Sequence, residues 1–221
     1  MKLLAEALIK FGCGLLLVGL LIFLPAGTLA YTYGWLLVGL LFGPMLIAGL
    51  VMLVKSPEFL KKRLDGKEKQ DTQKGVVALS GLMFIAGFVV AGLDFRFGWS
   101  MMPSWVVVTA SALFLIAYVL YAEVMRENAY LSRTVKVEEG QTVVDTGLYG
   151  IVRHPMYAVT ILLFLMIPLV LGSWYALIIF AFYPAIIIVR LKDEEDLLTR
   201  ELPGYAEYKQ KVKYRIIPFV W

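Results

Sequence analysis

Residues 148–194, LYGIVRHPMYAVTILLFLMIPLVLGSWYALIIFAFYPAIIIVRLKDE, decide how the chain is read. Two apolar runs, 157–172 and 173–190, are joined only by the small LGSW segment, and charged residues stand at both outer ends. Each run is about 17 residues, the short end of what crosses a bilayer core, so a tight helical hairpin is expected. Its two outer ends then share one side of the membrane. Pro168 and Pro184 fall inside the runs, where each removes a backbone hydrogen bond and is expected to kink its helix. A bent pair leaves space between its ends.

Pro155 reads as the first residue of a helix, where its missing N–H costs nothing and its φ is already helical. Arg153 and His154, the chain's only histidine, come just before it. They stand at the positive end of a helix dipole, a place that attracts an anion. At the other outer end, Ile187, Arg190, Glu194 and Leu198 share a helical face. Taken singly, each residue has a plain alternative. Arg190 reads as an interfacial anchor, the acidic run after it as a solvated turn, and His154 as a satisfied structural histidine. Tyr149, Tyr157, Tyr205 and Tyr208 read as interfacial belt residues or as walls of a cofactor pocket. What points to a site is that the hairpin brings Arg190 and Glu194 back beside Arg153 and His154.

Outside this stretch the chain stays apolar. Its 221 residues are 60% hydrophobic and only 17% charged, with a mean hydropathy of +0.78, which excludes an ordinary soluble domain. Further spans are expected at 11–30, 35–54, 76–93 and 104–122. The result is an all-α integral membrane protein with about six transmembrane helices. The first run is long enough to stay in the bilayer and is followed at once by others, so it is read as a span and not as a signal peptide. Residues 1–122 form a four-span bundle with few internal polar groups, and residues 123–221 alternate polar stretches with the hairpin. In the second span Gly39 and Gly43 have the spacing of a close helix contact, read as packing. KVEEGQTVV, 136–144, reads as a turn or short extended piece at the membrane surface.

A net charge of +4 and a pI near 9.0 suggest a nucleic-acid partner only until the cations are placed. Lys55, Lys61, Lys62, Arg63, Lys67, Lys69 and Lys74 crowd one loop, while the segments 25–34 and 94–103 hold only Arg96 among basic residues. That asymmetry orients a membrane protein, with both termini, the 55–75 loop and residues 123–156 in the cytoplasm. No nucleic-acid partner is expected. Cys13 has no partner for an internal disulfide. One histidine and one cysteine cannot make a zinc set, and no metal site is expected, although carboxylates can hold magnesium. A GxSxG elbow is absent, and the glycines of GCGLLLVG lie within a span, outside the setting of a dinucleotide fingerprint.

The run TGLYGIVRHPMY, then the hairpin, then RLKDEEDLLTRELPGYAEYKQKVKYRIIP, resembles the isoprenylcysteine carboxyl methyltransferase family and, more loosely, the phospholipid methyltransferases. The likeness covers roughly 126–221. It implies a membrane-embedded methyltransferase that takes S-adenosylmethionine from the cytosol and a lipid-like or prenylated acceptor from the bilayer. It implies a cofactor site built from the connecting segment, the hairpin ends and the carboxyl-terminal segment. Cofactor contacts are expected from Gln141, Thr142, Val143, Val144, Tyr149, His154, Pro155, Met156, Tyr157 and Glu194. Arg190 is expected at the acceptor's carboxylate, with Arg190 and Glu194 as the catalytic pair. Two positions depart from the pattern: Gln141 stands where histidine is frequent, and Val159 where glycine is frequent, which narrows the expected pocket. A carboxylate acceptor, such as a prenylcysteine or another lipid acid, is favoured over a lipid amine, because it is ionised at neutral pH and needs no base. An amine would need Glu194, Glu195 or His154 to take its proton. The carboxyl-terminal run is also similar to that of sterol reductases, which use a reduced nicotinamide. A non-catalytic membrane scaffold is the third reading.

Overall fold

The computed structural model describes residues 2–65, 71–132 and 134–221, so Lys67 and Lys69 of the basic loop lie outside the described residues. All regular structure among them is helical. The order is α1 (Lys2–Ala26), α2 (Thr32–Lys55), α3 (Pro57–Leu64), α4 (Asp71–Phe97), α5 (Ser104–Glu127), a single 3-10 turn (Gly147–Gly150), α6 (Pro155–Val170), α7 (Trp174–Phe180), α8 (Tyr183–Glu201) and α9 (Tyr205–Lys211). Four of these helices, together with the stretch Trp174–Glu201, are long and apolar enough to cross a membrane, and Pro155–Val170 is a shorter apolar helix. At 1.5 Å per residue the 25 residues of α1 reach about 37 Å, more than a hydrocarbon core.

Lipid explains the outer surface. Leu16, Leu24, Ile47, Val54, Leu82, Val108 and Val119 are all more than half exposed, an apolar skin that water would not tolerate. The protein is an integral membrane protein with an all-α fold. Inside that skin one hydrophobic core runs through both halves of the chain, from Ile22 and Leu37 to Phe114, Ile167, Phe180 and Leu191. Residue 122, where the composition changes, falls within α5, and α5 packs along α6.

In hydrocarbon, helices gain nothing from the hydrophobic effect by meeting, so close backbone approach decides where they touch. Glycines at the contacts show this. A Cβ at Gly92 would stand 2.5 Å from the Ile22 carbonyl oxygen, and one at Gly87 would stand 2.4 Å from the Phe180 ring. These two glycines seat α4 against α1 and α7. Gly39 and Gly43, expected as packing positions, would each carry a Cβ into open space.

The turn between α6 and α7 is held by a buried acid. Asp94 of α4 is only 2% exposed. It accepts hydrogen bonds from Ser100 N and Ser100 Oγ, each at 2.6 Å, and from Ser173 Oγ. Ser173 Oγ also accepts from Ala176 N at 3.0 Å, capping α7. Tyr31 Oη donates to the Leu171 carbonyl beside it. A carboxylate in such a place needs several donors, and these tie α4, the 98–103 loop and the 171–173 turn into one unit.

Pro168 lies inside α6, as the sequence indicates. Pro184 does something else: it stands in the first turn of α8, and the second apolar run is two helices divided at Ala181 and Phe182. Proline suits a first turn, where no intrahelical N–H bond is lost. The backbone across the division stays satisfied, Ala181 N donating to Leu177 O at 2.9 Å and Ile186 N to Phe182 O at 3.2 Å.

Gly92→Ala is therefore expected to lower the thermal stability of the detergent-purified protein by roughly 1–3 kcal/mol through overpacking against backbone. Gly39→Ala should be neutral or slightly stabilising. Melting curves of the two variants side by side check the assignment, and equal effects would contradict it.

Candidate active site

Two helix ends and the carboxyl-terminal segment meet at the end of the bundle opposite Asp94. Arg153 and His154 precede α6 and are buried, 7% and 5% exposed. The sequence reading has this pair waiting for an external anion. In the structure the anion is internal. Arg153 Nε donates to Glu195 Oε1 at 2.6 Å, His154 Nε2 lies 3.3 Å from the same oxygen, and Arg215 Nε donates to Glu195 Oε2 at 2.8 Å. The backbone amides there are also taken, Arg153 N donating to Tyr214 O at 2.9 Å and His154 N to Arg215 O at 2.8 Å. Arg153 Nη1 adds bonds to the carbonyls of Val212 and Lys213. The segment 212–215 thus lies along the start of α6 and consumes much of its anion-binding capacity.

Glu194, one residue earlier on α8, points about 100° away around the helix. Its carboxylate accepts from Tyr157 Oη of α6, and Arg190 Nε donates to that same hydroxyl at 3.0 Å. One phenol therefore bridges the arginine and the acid that the sequence placed on one face. The α4 end closes on this group as well, with the buried Gln73 donating to Asp193 Oδ2 at 2.6 Å.

The connecting segment forms the other wall. Glu127 at the end of α5 accepts from Leu148 N at 2.9 Å. Gly147 carries a φ of +52, and a Cβ there would overlap the Glu127 carboxylate, so the turn requires glycine. The segment KVEEGQTVV makes a turn and no strand: Gln141 N donates to Glu138 O at 3.0 Å, Glu138 N donates to Gln141 Oε1 at 2.9 Å, and Gly140 takes φ +71. Tyr208 Oη donates to the Tyr149 carbonyl at 2.7 Å, and Asn128 Nδ2 donates to Tyr149 Oη at 3.0 Å.

Between these walls lies an open-mouthed pocket. Gln141, Thr142, Val143, Val144, Tyr149, His154, Met156, Tyr157, Arg190 and Glu194 all line it. Pro155 does not, being buried at the start of α6. Val159 does not either: it is 5% exposed and part of the core, so it narrows no wall of the pocket. Sequence reasoning missed the Glu195–Arg215 bond that anchors the carboxyl-terminal segment behind the pocket, and the contributions of Asn128, Thr134, Leu198 and Leu202 to the lining. The arginine of YRIIP was the available signal for Arg215, since an isolated cation between apolar residues asks for a buried partner.

Burial pushes the phenols of Tyr149, Tyr205 and Tyr208 well above the ordinary tyrosine range, with smaller contributions from nearby acids and phenols. They stay protonated and serve as donors. The pocket thus offers aromatic and aliphatic walls, neutral hydroxyl donors, the Glu194 carboxylate, the guanidinium groups of Arg153 and Arg190 and the Lys136 ammonium. Such a set accommodates a small zwitterion carrying an apolar or aromatic body. Among the described residues there is no cluster of histidine, cysteine and acid able to hold a metal ion.

The chain is also similar to known proteins over part of its length. Residues 98–200, from the loop before α5 to the end of α8, match the model of the isoprenylcysteine carboxyl methyltransferase (ICMT) family. An uncharacterized protein of Bacillus subtilis (strain 168), YpbQ, is 30% identical over 96 residues, which is 43% of this chain and 57% of that protein. The Delta(14)-sterol reductase TM7SF2 of Mus musculus is 31% identical over 91 residues, 40% of this chain and 22% of that one. The alignments thus span little more than half of the first relative and about a fifth of the second. Through residues 98–200 the chain is related to the isoprenylcysteine carboxyl methyltransferase family of membrane methyltransferases.

Proposed function

We propose that the protein is an S-adenosylmethionine-dependent methyltransferase that esterifies the carboxylate of a prenylcysteine or another isoprenoid or lipid acid. The observation that carries this is the Arg190–Tyr157–Glu194 group at the edge of the pocket, where a cation and an acid share one hydroxyl. The cofactor supplies an electrophilic methyl group on a sulfonium: the carbon–sulfur bond breaks, a carbon–oxygen bond forms to the acceptor, and sulfur keeps the electron pair. The chain's own work is placement. Arg190 holds the acceptor carboxylate in line, and Glu194 holds an ammonium group. Tyr149, Tyr205 and the apolar side chains of the connecting segment wall the pocket from water, which favours a reaction that dissipates charge. The Glu195 cluster stays out of the chemistry and fixes the start of α6.

In this reading α6 and the α7–α8 pair form a hairpin across the bilayer, the bundle crosses about six times, and the pocket faces the cytosol where the basic loop lies. Lipid acceptors enter sideways from the bilayer. The likeness to a sterol reductase supports one competing reading, a nicotinamide-dependent membrane reductase.

Purified protein incubated with methyl-labelled S-adenosylmethionine and a lipid extract is expected to yield label that mild base releases as methanol. Base-stable label would point to nitrogen, and binding of NADPH without S-adenosylmethionine would select the reductase. No transfer together with no cofactor binding would remove the enzyme reading.

The two neighbouring acids should separate in mutagenesis. Glu194→Gln is expected to cut transfer by at least about a hundredfold, as for loss of one positioned charge contact, with little change in melting temperature. Glu195→Gln strands two buried or half-buried guanidinium groups and should cost about 3 kcal/mol or more of stability. Similar melting curves for the two variants would contradict this division of roles.

A further inference from the structure

Arg63 is the unexplained cation of the pocket end. Its Nη1 is buried and has no hydrogen-bond partner among the described residues. Its other terminal nitrogen, Nη2, donates to Tyr121 Oη, and the guanidinium carbon lies 5.6 Å from the centre of the Tyr121 ring. The arginine comes from α3, PEFLKKRL, which lies across the end of the bundle: Leu60 is 4% exposed and Phe59 packs against the core. Its neighbour Lys62 pairs with Glu138 of the connecting segment, three residues before the pocket-lining Gln141.

Two contacts locate the guanidinium relative to the pocket. Tyr121 sits close enough to Tyr149, a pocket wall, for the two phenols to interact electrostatically. On the other side, α4 begins shortly after α3, and its Gln73 Nε2 reaches the Arg190 carbonyl at 3.5 Å as well as Asp193. Arg63 thus lies behind the Tyr149 wall, one phenol removed from the pocket, and neither it nor Tyr121 is part of the lining. A helix anchor needs only its bond to Tyr121. The desolvated second nitrogen is costly unless an acceptor reaches it. A guanidinium with one edge still to be filled matches the planar oxygens of a carboxylate or phosphate.

We propose that Arg63 is a second anion-binding residue of the site, taking a carboxylate or phosphate oxygen on the headgroup of an amphiphilic acceptor. The inference rests on the methyltransferase reading for the word acceptor, though not for the binding itself. It makes α3 part of the site's selectivity: charged amphiphiles bind, and their neutral esters bind less.

The test is binding in an uncharged maltoside detergent, read by quenching of tryptophan fluorescence. The probes are N-acetyl-S-farnesylcysteine, its methyl ester, and lysophosphatidic acid, which separates a carboxylate source from a lipid phosphate. The wild-type protein is expected to prefer at least one acid over the ester by about tenfold, the range of a charge-assisted hydrogen bond. Arg63→Gln should abolish that preference while S-adenosylmethionine affinity stays unchanged. An unaltered preference in Arg63→Gln, or no preference in the wild type for either acid, overturns the proposal. Should Arg63→Gln not fold, Arg63→Lys decides: it keeps the charge and loses the planar fork, so the preference should fall severalfold, and an unchanged one counts against the proposal. Wild-type protein that binds no S-adenosylmethionine sinks the methyltransferase reading, while an Arg63-dependent preference for acids would stand.

Discussion

Everything at the pocket end of the molecule is built on one buried carboxylate. Glu195 is 2% exposed, and it bonds Arg153 before α6 and Arg215 in the carboxyl-terminal segment, with His154 alongside. Two helix ends and an otherwise irregular stretch of backbone are thereby fixed to one another, since a charge withdrawn from water holds its partners tightly once its desolvation has been met. The amides of Arg153 and His154 bond the same stretch through its carbonyls, so neither end can shift alone. With that anchor set, α8 holds Arg190 and Glu194 against Tyr157.

A second buried acid does the corresponding work at the far end. Asp94 grips Ser100 and Ser173 and so positions the turn where α6 gives way to α7. The two helical segments that flank the pocket are therefore held at both extremities by side-chain polar bonds, with glycine-mediated contacts of α4 between. In a medium that gives apolar side chains no reason to associate, such bonds and close backbone contacts are what remains to define a unique arrangement.

Much of this was legible in the sequence, for physical reasons that can be named. Long apolar runs announce helices because a bilayer leaves backbone no other partner, and the RHP sequence announces the start of α6 because proline tolerates that position. The convergence of Gln141 to Val144, Tyr149, Tyr157, Arg190 and Glu194 on one pocket was readable from the family resemblance and the two-helix pattern together. Three features were not. Which of two adjacent acids meets Arg153 depends on the rotation of α8 about its axis, and spacing alone does not give that angle. Pro184 was legible as a disruption, but whether it bends a helix or begins one depends on the turn at Ala181 and Phe182. Gly39 and Gly43 have the motif spacing of a contact, yet the contacts are made by Gly87 and Gly92, because what matters is which face of a helix meets a neighbour.

The lipid-facing surface of α1 and α2 has a consequence for ancestry. Where a side chain touches only acyl chains, leucine exchanges for isoleucine, valine or phenylalanine at almost no energetic cost, and a lineage can rewrite such a face without loss. Residues that bond a buried acid or a shared phenol have no such freedom. Variation on such a face is expected to keep only its apolar character, whereas Gly87, Gly92 and Asp94 of α4, which touch backbone, ring and hydroxyl partners, are expected to resist exchange.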